Sequence, residues 1–167
     1  MNSDLLFDFS VNKEDKTVYI VREFRATLDV VWRAWTTAEL LDKWWGPKPC
    51  VSKTKAMNFE VGGRRFSAMI LPDGQERWLL QKFTSITPKT NFKTYNAFAD
   101  ENENPELPGS DWDLSFDEQN GRTKVSISIY NESRERFDQI ADGFKAGFTV
   151  ALEQLDTMLE TAANNPE

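Results

Sequence analysis

Histidine is absent from the 167 residues, and cysteine occurs once, as Cys50. Without imidazole there is no Ser-His-Asp or Cys-His nucleophile, no histidine general base and no imidazole metal ligand. A lone cysteine closes no intrachain disulfide and builds no multi-cysteine metal site. Catalysis would have to rest on carboxylates, lysine, tyrosine or bound water, so an enzyme is the less favoured reading. No catalytic residue, metal or cofactor is expected. Long apolar runs are missing too: none approaches the roughly eighteen residues needed to cross a bilayer. Met1-Asn2-Ser3-Asp4 lacks the basic start and apolar core of a signal peptide, and a cytoplasmic protein is the expectation. Positive charge is in deficit, with 20 Lys and Arg against 27 Asp and Glu and a formal net charge of -7. Such a surface repels phosphates and releases no counterions, which argues against nucleic acid and membranes as partners.

What is present is apolar and aromatic. Hydrophobic residues make up 40% and aromatics 13% of the chain, ample for the interior of a single domain over residues 1–167. Residues 1–16 read as an N-terminal extension with an edge strand near 6–10, and 163–167 as a frayed tail. Thr17 to Arg25 has the β-branched and aromatic make-up of a strand. From Leu28 the period changes: Leu28, Val31, Trp32 and Trp35 fall on one stripe of an amphipathic helix. Thr36-x-x-Glu39 matches a capping box and predicts a second short helix, which Gly46-Pro47 and Pro49 end.

Strands follow near 51–60, 64–71, 77–86, 91–99, 111–118 and 122–131. Short turns between them require antiparallel neighbours. Asn120-Gly121 predicts a type I′ hairpin, since both residues tolerate positive φ. The 100–110 loop, with two prolines and four carboxylates, is expected to be mobile. Phe137, Ile140, Phe144, Phe148, Leu152, Leu155 and Leu159 then hold helical spacing through residues 134–162. A helix of about 28 residues is roughly 42 Å long, enough to lie across the whole sheet.

Several segments occur in a recognisable order: Arg22-Glu23-Phe24-Arg25-Ala26, Val31-Trp32-x-Ala34-Trp35-Thr36 and Glu39-Leu40-Leu41-x-x-Trp44-Trp45-Gly46-Pro47. With Glu60-Val61-Gly62-Gly63, Pro72-Asp73-Gly74 and Gly143-Phe144-x-x-Gly147 they resemble the activator of heat-shock protein 90 ATPase homologue-like family, over about residues 17–160. That family lies in the START-like (SRPBCC, Bet v 1-like) superfamily. The resemblance implies an α+β helix-grip fold: a curved antiparallel sheet wrapped around a long C-terminal helix, two short helices after the first main strand, and a hydrophobic cavity between. It implies binding of a small apolar or amphiphilic molecule. The alternatives are a chaperone-interacting module, after the eukaryotic namesake, and a START-like cyclase or hydrolase. Leu28 stands where the family usually has proline, and Phe148 where tryptophan is frequent.

Candidate cavity residues come from several elements. Phe59, Met69, Trp78, Phe83, Tyr95 and Trp112 lie on different strands or strand ends, Phe144 and Phe148 on the helix, and Trp45 beside the Gly-Pro break. Arg65 shares a strand face with Ser67 and Met69; turned inward, it would favour an anionic or polar-headed ligand. Trp32 and Trp35 read as plain packing. Gly143 and Gly147 share a helix face, and each glycine there costs about 1 kcal/mol against alanine. Either a close backbone approach or room for a ligand would explain them. A monomer and a homodimer paired through an exposed strand edge are both open.

Overall fold

The computed structural model describes residues 5–164. Eight strands form one antiparallel sheet in the order β1-β2-β8-β7-β6-β5-β4-β3. Its strands are β1 (Phe7–Asn12), β2 (Thr17–Phe24), β3 (Val51–Met57), β4 (Arg64–Ile70), β5 (Glu76–Thr87), β6 (Asn91–Ala99), β7 (Ser110–Gln119) and β8 (Arg122–Asn131). Neighbours in the sheet are neighbours in sequence except at β2-β8, because α1 (Leu28–Thr36) and α2 (Ala38–Trp44) carry the chain from β2 to the far edge at β3. The C-terminal helix follows β8 as α3 (Arg134–Gln139), a π-helical turn (Ile140–Phe144) and α4 (Lys145–Asn164). This is the helix-grip arrangement expected, with an α+β composition and the two short helices in place.

Alternation drives the sheet onto the helix. Ile20, Ile127, Leu114 and Phe92 pair across four strands and are all buried in one core with Leu152, Leu155 and Leu159 of α4. Each such side chain contributes about 1.5–3 kcal/mol on burial. Trp32 and Trp35 pack edge-on against Phe116 in the same core. The hairpin between β7 and β8 turns at Asn120 and Gly121, with φ of 54° and 77°.

The capping-box expectation is revised. Thr36 is the last residue of α1, and its hydroxyl donates to the Trp32 carbonyl instead of capping a new helix. Thr37 precedes α2, without a side-chain cap. At the start of α1, Leu28 donates its N–H to Glu118 at 2.7 Å, a bond proline could not make. Within the 100–110 loop, Asp100 accepts from Asn102 and Asn104, Glu103 pairs with Arg64, and Pro105 bridges to Ala99. Of the expected tail, Asn164 is still helical, and 165–167 lie outside the described residues.

Candidate functional site

The inner face of the sheet, turned toward the C-terminal helix, changes character from one cross-strand row to the next. Val18, Ile129, Trp112, Thr94 and Phe83 pair in one row. Two residues along each strand, Asn131, Ser110, Asn96, Gln81 and Arg65 pair in the next. This second row is polar and wholly buried, although buried polar groups are costly unless hydrogen-bonded.

Most of that cost is offset at its two ends. At one end Arg65, 1% exposed, donates to Thr54, Gln81, Ser52 and Asp42 at 3.0–3.1 Å. Burial lowers its pKa to about 10 against the opposing pull of Asp42, so it carries its charge at neutral pH. At the other end Ser110 donates to Asn131, Asn131 donates to the Lys16 carbonyl at 3.3 Å, and Arg136 donates through Nε to Ser110 at 3.1 Å. The Arg136 guanidinium also lies over the Phe98 ring at 4.6 Å, and burial lowers its pKa.

The middle of the row is unsatisfied. Asn96 is 1% exposed, yet neither its Nδ2 nor its Oδ1 has a protein partner. The same holds for Thr94 Oγ1 and for the indole nitrogens of Trp35 and Trp112. An unpaired buried polar group costs about 1–3 kcal/mol. Trp35, Thr94 and Trp112, with Arg65 and Gln81, line an interior cavity of about 20 Å³, room for one small polar group.

A much larger space lies alongside. Between the first turns of the C-terminal helix and the ends of β5 and β6 runs an open groove of about 830 Å³, within the ~300–1,000 Å³ range of small-molecule sites. Phe98, Arg77 and Leu107 line it from the sheet and the 100–110 loop, and Arg136, Ile140 and Phe144 from the helix. Glu76, Glu106 and Glu135 at its margin outnumber its two arginines. Trp45, Trp112, Phe144 and Phe148 stand between groove and cavity, with successive ring centroids 4.7–6.0 Å apart.

Neither helix glycine is held by a close backbone approach: a Cβ on Gly147 would meet only the Pro47 ring, at an ordinary contact distance of 3.6 Å, and one on Gly143 would meet nothing within 4 Å. Gly143 sits on the groove rim, in the π-helical turn, a geometry found disproportionately at functional sites.

The structure scatters the sequence-derived candidates rather than gathering them in one space. Trp45, Arg65, Phe83 and Trp112 line the interior cavity, and Phe144 and Trp78 the groove; Phe148 is part of the aromatic partition. Phe59 packs against Trp32, Phe83 and Phe92 in the core. Met69 shares the face of Arg65 but lines neither space. Trp78 stacks on Phe66 in a separate cluster with Leu80 and Ala99, while also lining the groove. Tyr95 lies on the strand face opposite Thr94 and Asn96, where its hydroxyl accepts from the Gly109 N–H at 2.6 Å. Thr94, Asn96, Phe98 and Arg136 were not among the candidates. An inward asparagine in a Phe92-x-Thr94-x-Asn96-x-Phe98 alternation was the available signal, since asparagine is depleted from strands.

Among the described residues, no group of three His, Cys, Asp or Glu is placed to hold a metal ion. No helix among them is long and apolar enough to cross a membrane.

Comparison with known proteins agrees with this architecture. The sequence profile described as "Activator of Hsp90 ATPase homolog 1-like protein" matches residues 25–160. The crystal structure of protein Ms6760 from Mycobacterium smegmatis superposes with a TM-score of 0.84 at 28% identity, covering 93% of this chain and 96% of that one. A solution structure of a protein from Arthrobacter aurescens gives 0.86 at 29% identity, covering 92% and 91%. DynU16, a protein of the dynemicin biosynthetic locus, shares the fold at a TM-score of 0.66 and 19% identity, over 89% of this chain and 48% of its own. No curated protein matches the chain.

Proposed function

Because the chain belongs to the family of activator of Hsp90 ATPase homolog 1-like proteins, whose fold supports ligand binding in general, we propose that it binds a small apolar or amphiphilic molecule between the sheet and the C-terminal helix. The observation that carries this reading is the groove of about 830 Å³ beside the π-helical turn. Its floor and walls combine Phe98, Leu107, Ile140 and Phe144 with the polar heads of Arg77 and Arg136. That mixture suits a molecule with an apolar body and a polar end. The interior cavity of about 20 Å³ is too small for such a body. The groove therefore receives it.

A titration of labelled protein with a lipophilic panel (decanol, decanoate and substituted naphthalenes) tests the reading by NMR. Shift changes are expected at Phe98, Ile140 and Phe144. Gly143→Phe should fill the groove from its rim and abolish them, with the fold intact because nothing opposes a side chain there. A panel in which no compound moves these residues would sink the proposal.

A further inference from the structure

We infer that Asn96, with Thr94 and Trp112, recognises the polar end of the ligand, and that this end is a neutral group able both to donate and to accept a hydrogen bond, a hydroxyl above all. The inference rests on the groove being the ligand site and goes on to name the chemistry of what enters it.

The indole nitrogens of Trp35 and Trp112 have no protein partner, and an indole N–H only donates. Whatever meets them must accept. Asn96 Oδ1 is also unpaired, and a carbonyl oxygen only accepts. Whatever meets it must donate. A hydroxyl does both, with one donor and two acceptor sites; Asn96 Nδ2, like the indoles, only donates, while Thr94 Oγ1 adapts to either. An ether or ketone leaves Asn96 Oδ1 unmet. Size agrees, because Trp35, Thr94 and Trp112 enclose only about 20 Å³.

Charge excludes the ionic alternatives. Arg65 is the cation nearest this cavity, but four of its five N–H donors already serve Asp42, Ser52, Thr54 and Gln81, and the Asp42 carboxylate balances its charge. It has no call on a ligand anion. Asp42 is likewise committed to Arg65, Ser52 and Thr54, which leaves nothing for a cation. In the groove, three glutamates against two arginines do not select an anion.

Position completes the case. Asn96 pairs directly with Ser110, which holds Arg136 on the groove wall, and Phe98, two residues on and on the same strand face, lines the groove. Asn96 itself lines neither space, but it stands on one strand face between Thr94, which lines the cavity, and Phe98, which lines the groove. With Phe144 turned aside on its π-helical turn, a ligand body in the groove delivers its polar end to Asn96, Thr94 and Trp112.

Three probes of one shape test this: 2-naphthol, 2-methylnaphthalene and 2-naphthoate. With the wild-type protein, 2-naphthol should bind about tenfold more tightly than 2-methylnaphthalene, the worth of one well-made hydrogen bond, and 2-naphthoate should gain nothing. The indole N–H resonance of Trp112 should move with 2-naphthol and stay put with 2-methylnaphthalene. Asn96→Leu should bring 2-naphthol down to the level of 2-methylnaphthalene while leaving the latter unchanged. Thr94→Val, nearly isosteric, should erode the same preference and serves if the leucine variant does not fold. Equal binding of 2-naphthol and 2-methylnaphthalene to the wild type would overturn the inference. So would a preference that survives both substitutions, because these atoms would then be serving buried water alone. If neither naphthol nor methylnaphthalene moves Phe98, Ile140 or Phe144, it is the groove reading that fails.

Discussion

The two halves of the C-terminal helix meet the sheet differently. In α4, Leu152, Leu155 and Leu159 are fully buried. Asp156 pairs with Arg22 of β2 at 3.4 Å, and Gln154 donates to the carbonyls of Trp44 and Gly46 at the end of α2. That half is clamped by apolar contact and by bonds to two other elements. In the earlier half, Phe137 and Ile140 still pack into the core, but the chain then loosens into a π-helical turn whose Gly143 faces open space. One continuous apolar spacing therefore produces a clamp at one end and a wall at the other. The difference lies opposite the helix, where the groove and the unsatisfied middle of the polar row begin.

The largest effect should separate these halves outright. Leu155→Ala removes a fully buried side chain from the clamp and should lower unfolding stability by about 2–5 kcal/mol, read by urea denaturation. Phe144→Ala, at the half-buried wall, should cost clearly less, about 1–2 kcal/mol, yet alter the binding of naphthalene probes, which Leu155→Ala leaves intact in the folded protein. Equal stability losses would erase the contrast.

A second comparison runs along the polar row, between its compensated end and its open middle. Asp42→Ala leaves the buried Arg65 guanidinium without its carboxylate. Breaking such a pair typically costs about 3–5 kcal/mol; with the Asp42 side chain 28% exposed, the lower end, about 3 kcal/mol, is expected. Arg65→Met removes the charge itself and should stay within about 1 kcal/mol of wild type, since Asp42 keeps Ser52 and Thr54 as donors. Urea midpoints for the two variants decide it, and a costlier Arg65→Met would mean that the arginine organises the row instead of being tolerated by it.

Much of the scaffold was legible beforehand, for reasons visible in particular residues. The run from Thr17 to Phe24 and the hairpin at Asn120-Gly121 are strand and turn by local chemistry alone, and the Leu28-to-Trp35 stripe is a helix by its period. The phase of the middle strands was harder. β4, β5 and β6 carry apolar residues on both faces, with Phe66, Leu80 and Ala99 forming a second cluster behind the sheet. Trp78 and Tyr95 therefore looked as inward as Phe83. The π-helical turn was invisible because one extra residue barely disturbs the spacing from Ile140 to Phe148. Asn96 was hidden differently: its partners, or lack of them, depend on pairing with Gln81 and Ser110, which no local window contains.

The smallest expected effect bears most directly on why the wall is loose. At Gly143 a Cβ meets no atom within 4 Å, and the backbone is not in the left-handed region. Alanine there should gain up to about 1 kcal/mol from reduced freedom of the unfolded chain and better helix propensity. The gain should appear as a higher urea midpoint and slower amide exchange through residues 136–144, with α4 unaffected. If the glycine keeps the turn supple so that Phe144 can swing, the same variant should bind 2-naphthol more slowly, with its equilibrium preference for the hydroxyl unchanged. A loss of stability would show instead that the rim is closed and that the groove ends short of Gly143. Faster exchange in α4 would show that the two halves of the helix are one cooperative unit, and the distinction between clamp and wall would go with it.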